Sequence, residues 1–145
     1  MHATGVGRTV KFGLNGFVIA RETEKEARAT LREIVTKAHK PAVEGFRQAV
    51  QEAGASTADK KGMWADSSFE DLVQYNDGFR TQLIGTAERI AARIVEYKKL
   101  DVNLFLTGYL HFQEEVAAFG RDILPIVRET EQELAKKNGL ELTAV

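Results

Sequence analysis

The sequence predicts an α/β fold of about three strand–helix units with a helical insertion, and three observations carry that expectation. Three short apolar runs, at residues 10–20, 81–84 and 102–107, each contain or abut a glycine. Each is followed by a stretch whose apolar residues recur at helical spacing, and two of those stretches open on a threonine suited to cap them. Between the first and second units lies a segment, about residues 41–80, too long for an ordinary connection between neighbouring elements. Strands alternating with helices specify parallel pairing through right-handed crossovers.

The first run, residues 10–20, carries β-formers at its end and two glycines inside. Gly13 and Gly16 weaken an isolated strand and mark a bend or a close approach of another backbone or ligand. Asn15 and Phe17 stand two apart and share one side of the sheet. Thr23-Glu24-Lys25-Glu26 then fits a capping box. Ala27, Leu31, Ile34, Val35 and Ala38 form one apolar stripe, and Pro41 suits the first turn of a second helix ending at Gly54.

Residues 55–67 show no period and read as a loop around Trp64. Ser68 is placed to cap a short helix with Leu72 and Val73 inward, and Asn76-Asp77-Gly78 signals a turn. The segment as a whole, residues 41–80, reads as an insertion of the kind that forms a lid. Residues 81–84 read as a second strand closed by Gly85, and Thr86 as the cap of a helix with Ala87, Ile90, Ala91, Ile94 and Tyr97. Residues 102–107 read as a third strand, buried on both faces. A last helix starts near Phe112, is kinked or restarted at Pro125 and ends before Gly139.

A length of 145 residues suits one domain, here residues 1–145. Twenty basic and twenty-one acidic residues give a net charge of −1 without blocks of like charge, so neither nucleic acid nor an anionic membrane is an expected partner. The chain has no cysteine, which removes disulfides and thiolate chemistry and fits a cytoplasmic location. No apolar run approaches the roughly 20 residues of a membrane helix.

Chemistry concentrates where the third strand gives way to helix. Gly108-Tyr109-Leu110-His111 offers a phenol donor and an imidazole, types that stabilise an oxyanion or move a proton near neutral pH. A loop tyrosine packed on a neighbour and a histidine bound to backbone account for the same residues. Glu114 and Glu115 stand in the first helical turn, where they oppose the macrodipole without catalysis. His111 and Glu114 lack a third partner for a metal, and none is expected. Gly85-Thr86 presents amides able to receive a phosphate, or a simple cap. Arg80 reads either as a lid cation or as a solvated side chain.

Three separated motifs carry a resemblance: Phe-Gly-Leu-Asn-Gly-Phe-Val-Ile-Ala-Arg-Glu-Thr at 12–23, Leu-Ile-Gly-Thr-Ala-Glu-Arg-Ile-Ala-Ala-Arg-Ile at 83–94, and Thr107 to Glu115. Together they resemble the bacterial luciferase-like flavin-dependent monooxygenases. Residues 67–86 with the following Leu-His-Phe-Gln-Glu-Glu look most like the dimethyl sulfone monooxygenase branch, with the alkanesulfonate monooxygenases as nearest relatives. The resemblance runs from about Phe12 to Glu129. It implies the last three units of a TIM (β/α)₈ barrel, which in full takes about 250 residues.

The resemblance further implies an enzyme that takes reduced FMN from a flavin reductase and uses O2 to cleave the C–S bond of a small sulfone, dimethyl sulfone giving methanesulfinate and formaldehyde. Tyr109, His111 and Glu114 match the family's Tyr-x-His-x-x-Glu pattern and so its catalytic residues. Arg80 matches the lid arginine, within a few residues of register. Asn15 and Phe17 replace the arginine and histidine usual in the alkanesulfonate enzymes, which argues against a charged sulfonate. Two further departures are Ala87, where proline is usual, and Asp101, where glycine commonly precedes the last strand. Most flavin phosphate contacts would belong to the part of the barrel not represented here. This segment alone is then expected to be inactive and, with open strand edges, to form a homo-oligomer. The alternatives are an alkanesulfonate monooxygenase or a non-catalytic barrel fragment that assembles with a partner.

Overall fold

The structure, a computed structural model, describes residues 10–57, 63–64 and 66–137. Its elements follow the order β1 (Phe12–Phe17), β2 (Ile19–Ala20), α1 (Glu24–Lys37), α2 (Lys40–Gly54), α3 (Phe69–Leu72), a 3₁₀ turn (Gly78–Thr81), β3 (Ile84–Gly85), α4 (Ala87–Lys99), β4 (Val102–Gly108), α5 (Phe112–Ala118), a π turn (Phe119–Ile123) and α6 (Leu124–Lys137). Part of the expected loop over 55–67, and the expected stop at Gly139, lie outside the described residues.

All pairing is parallel: β1 with β4, and β2 with β3. Residues 12–20 form the shared segment, since Val18 N donates to Gly108 O at 2.9 Å while Ile19 N donates to Leu83 O at 3.0 Å. Successive amides of an extended strand point to opposite edges, so β4 and β3 flank this segment on either side. Three consecutive strands of a barrel wall would instead place β3 in the middle. The mixed α/β class and the parallel strands agree with the sequence; the strand order here does not reproduce that wall.

Side chains of the shared segment alternate between two cores. Phe17 and Ile19 join Ala27 and Leu31 of α1, Val73, Phe79 and Ile84 on one face. Val18 joins Leu83, with Ile90, Ala91, Ile94 and Val95 of α4 and Ile123 and Val127 beyond, on the other. The caps form as their sequences dictate: Thr23 and Glu26 close a capping box on α1, Ser68 and Asp71 another on α3, and Thr86 Oγ1 accepts from Arg89 N.

Two expectations about strands need correction. The second strand does not begin at Thr81, because residues 78–81 coil into the 3₁₀ turn, closed by Thr81 Oγ1 donating to Gly78 O at 2.7 Å, and Gln82 is left-handed at φ 56°. Arg28 of α1 holds that turn by donating to Gln82 Oε1. The third strand is not buried on both faces: Leu104 and Leu106 are 63% and 69% exposed. Helix α1 lies over β2 and β3 and leaves β4 uncovered on that side, while Phe105, facing the other way, meets Tyr97 of α4 edge-on.

Of the two glycines in the first strand, only Gly16 sits at a close approach. A Cβ there would lie 2.8 Å from Leu83 Cδ1, whereas at Gly13 the nearest atom is an ordinary 3.6 Å away. Gly85 is more constrained still, with φ +151° and the Glu24 carboxylate packed where a Cβ would stand. Gly85→Ala is therefore expected to destabilise the chain by about 1–3 kcal/mol, the scale of a residue forced into a glycine-only region. Chemical unfolding should show a lowered midpoint at unchanged slope; a midpoint at the parental value would show that Glu24 and the backbone relax freely.

Candidate functional site

An open cleft of about 550 Å³ lies between α1, the start of α2 and the turn from β4 into α5. Its apolar wall is Ile34, Ala38, Val43, Val73 and Leu110, and its polar rim carries Arg21, Lys37, His39, Tyr75 and His111. Tyr75 is left-handed at φ 55° and is held by an edge-on contact with Phe46, 5.5 Å between ring centroids. Phe46 also meets Trp64, so α2 fixes this part of the wall through one aromatic side chain.

The two long cations on the rim are each bound to a carboxylate. Arg21 Nη1 donates to Glu115 Oε1 at 3.0 Å, and Lys37 Nζ to Glu33 Oε1 at 2.6 Å. The lysine holds the Glu33 carboxyl below its usual pKa, chiefly through that hydrogen bond. Both side chains of this second pair are well exposed, so it is screened and weak. The remaining basic groups on the rim are the imidazoles of His39 and His111.

The residues singled out by sequence do not converge. His111 lies at this cleft, and with Phe112, Gln113 and Glu114 it also lines a shallow cleft of about 260 Å³, without a hydrogen bond between His111 and Glu114. Tyr109 lines neither cleft. Its ring turns inward, edge-on to Phe112 at 6.0 Å and Phe119 at 6.1 Å, and its hydroxyl is buried without a hydrogen-bond partner. Burial raises its pKa, with the Glu115 charge adding to the rise and Thr107 opposing it.

Phe17 is a core residue, packed edge-on against Phe79 at 5.1 Å, and not a wall of the cleft. Asn15 is exposed on the open face opposite Leu106. Arg80 is exposed, 3.8 Å from Asp77, and does not line the cleft. Among the described residues, no group of three or more His, Asp or Glu could hold a metal ion, and no helix is long and apolar enough to cross a membrane.

A second cleft, about 420 Å³, opens where β2 and β3 end and α4 begins. It is no phosphate cradle. Thr86 already caps α4, Glu24 Oε1 lies against Gly85 and 3.6 Å from Arg89, and Glu22, Glu88 and Asp122 line the opening. An anion there would meet three carboxylates. Thr86 moreover donates to Glu88 and lowers its carboxyl pKa, which keeps that charge in place.

Sequence reading missed Arg21 and undervalued Glu115. Glu115 Oε2 accepts from the backbone amides of Leu110 at 2.9 Å and His111 at 3.0 Å while Oε1 holds Arg21. The only sequence signal was two adjacent glutamates in a first turn, which cannot say which one reaches back.

Comparison with known proteins identifies the family. The family model described as luciferase-like monooxygenase matches residues 2–104. The chain is 60% identical over 131 residues to an FMNH2-dependent dimethylsulfone monooxygenase of Pseudomonas putida, covering 90% of this chain and 36% of that protein. A protein of the same name from Pseudomonas fluorescens is 55% identical over 85% of this chain and 34% of its own length. A sulfoquinovose monooxygenase of Agrobacterium fabrum is 27% identical over 85% of this chain and 34% of its own length. The chain thus spans about a third of the length of the curated relatives it matches. It belongs to the luciferase-like monooxygenase family.

Proposed function

We propose that this chain is the C-terminal, substrate-side segment of a reduced-FMN-dependent monooxygenase that cleaves the C–S bond of a small neutral sulfone, dimethyl sulfone giving methanesulfinate and formaldehyde. The observation that carries the proposal is the 60% identity to an FMNH2-dependent dimethylsulfone monooxygenase. The cleft supports the neutral substrate. Arg21 and Lys37 each face a carboxylate, Lys37 through a weak exposed pair, so the cleft offers a sulfonate no surplus charge beyond its two imidazoles.

The described residues do not by themselves form a flavin site, since the α4 amino end faces carboxylates and the rim cations are paired. In this proposal the flavin, supplied reduced by a flavin reductase, is held mainly by the part of the longer relatives that this chain does not match. Residues 41–80 then act as a lid over the cleft, and the chain alone is inactive. A second reading, a non-catalytic module that assembles with another chain or a second copy, is favoured by one observation: the exposed Leu104 and Leu106 on β4.

The test is a chimera in which this chain replaces the matching segment of the Pseudomonas putida enzyme. Supplied with reduced FMN, it should oxidise dimethyl sulfone with a kcat/KM about 100-fold or more above that for methanesulfonate, the scale of leaving one charge unpaired. Equal rates on both substrates would refute the neutral-sulfone assignment. No oxidation of either, by a folded chimera, would favour the assembly reading.

A further inference from the structure

We infer that Arg21 and Glu115 form an ionic clasp that positions His111 at the cleft, making both of them positioning residues of the candidate site.

The argument begins with what the β4–α5 turn lacks. His111 occupies the N-cap of α5 with φ −116° and ψ 82° and gives no side-chain cap bond. A helix amino end without a cap leaves amides to be satisfied elsewhere. Glu115, four residues on, reaches back and accepts from Leu110 N and His111 N through one oxygen, while its own amide donates to His111 O at 2.9 Å. The two-residue turn that aims the imidazole is thereby tied to one carboxylate. Glu114, which the sequence pattern favours, is exposed and takes no part in this network.

The second oxygen carries the link across the fold. Beyond Gly108, the last β4 residue to accept from the shared strand, β4 leaves the ladder. Arg21 takes over the connection: its amide donates to Gly85 O at 3.0 Å, and its Nη1 donates both to Ala20 O at 2.6 Å and to Glu115 Oε1 at 3.0 Å. The carboxyl ends of β2, β3 and β4 therefore meet at one ion pair. The side chains are 27% and 18% exposed, which screens the pair less than a surface bridge and gives it directional hydrogen bonds. Arg21 also lines both of these clefts, the 550 Å³ one and the 420 Å³ one.

The clasp itself rests on this chain's geometry; its importance to turnover rests on the proposed monooxygenase reading. The two are tested separately. In the 145-residue chain, Glu115→Ala should accelerate hydrogen exchange at the Leu110 and His111 amides by about 10-fold or more, with exchange at Leu31 and Ile94 in the core changed by less than about 3-fold. Glu115→Gln, which keeps an acceptor oxygen but not the charge, should give an intermediate acceleration and serves if the alanine variant does not fold. Unchanged exchange at Leu110 and His111, or equal acceleration at all four amides, would overturn the clasp.

In the chimera, Glu115→Ala should lower kcat about 10-fold or more, and should lower it little further when His111→Ala is already present. Independent, additive losses would show that Glu115 acts by stability and not through His111, and would overturn the positioning role. If the parental chimera oxidises no sulfone, the monooxygenase reading fails while the exchange measurements still decide the clasp.

Discussion

Phe79→Ala is expected to lower the free energy of unfolding by about 3–5 kcal/mol, the range for deleting a phenylalanine from a packed core. Phe79 is fully buried in the 3₁₀ turn and is the largest such side chain among the described residues. Its ring meets Phe17 edge-on, interplanar angle 68°, and sits in the core that also holds Ile19, Ala27 and Leu31. Deleting it removes the ring contact and leaves a cavity under α1 that the backbone of a strand and a helix cannot collapse to fill. Native stability of about 5–15 kcal/mol for a domain makes this a large share of the total. Equilibrium urea unfolding should show a much lower midpoint at similar slope, while Tyr75→Ala, at a half-exposed ring, should cost far less. A Phe79→Ala midpoint close to the parental one would mean that the turn is not packed under α1 as described.

The contrast between the helices and the strands shows what the residues could reveal on their own. Capping boxes are local: Thr23 with Glu26 and Ser68 with Asp71 are set by spacing within four residues and form as the sequence dictates. The stripe Ala87, Ile90, Ala91, Ile94 and Tyr97 is equally local; Ile90, Ala91 and Ile94 are buried, and Val95, which the stripe did not include, is buried with them. Strand burial is decided by what other elements reach. The run Leu104, Phe105, Leu106 reads as apolar throughout, yet α4 covers only the Phe105 side. Asp101 was visible as a departure from a familial glycine, and its φ of 65° shows why glycine suits that position after α4. The site was less legible than the fold. His111 does lie at the cleft between α1 and α2, but Phe17 turned into the core because it faces Phe79, a residue 62 positions on, and Arg21 found Glu115 across 94. No local pattern encodes such pairings.

Tyr109→Phe should separate stability from turnover, lowering turnover without lowering stability. In this chain the ring already packs against Phe112 and Phe119, and phenylalanine preserves that packing. The hydroxyl is buried without a partner, and burying an unsatisfied polar group costs about 1–3 kcal/mol. Removing it should leave stability unchanged or raise it. A phenol is protonated at neutral pH in any case and burial raises its pKa further, so it remains a donor. With Thr107 near enough to oppose the rise in its pKa, the buried hydroxyl would find a stronger acceptor in a sulfone oxygen acquiring negative charge once a substrate reached it. On that proposal, Tyr109→Phe in the chimera should lower turnover about 10²–10³-fold, as loss of a well-placed oxyanion donor does. The hydroxyl lines neither cleft here, so the role requires the ring to turn from Phe119 toward His111 when substrate binds. Stability and turnover are read on the same variant by urea unfolding and by sulfone oxidation under reduced FMN. Parental turnover alongside unchanged or raised stability would make Tyr109 a core aromatic and remove it from the candidate site.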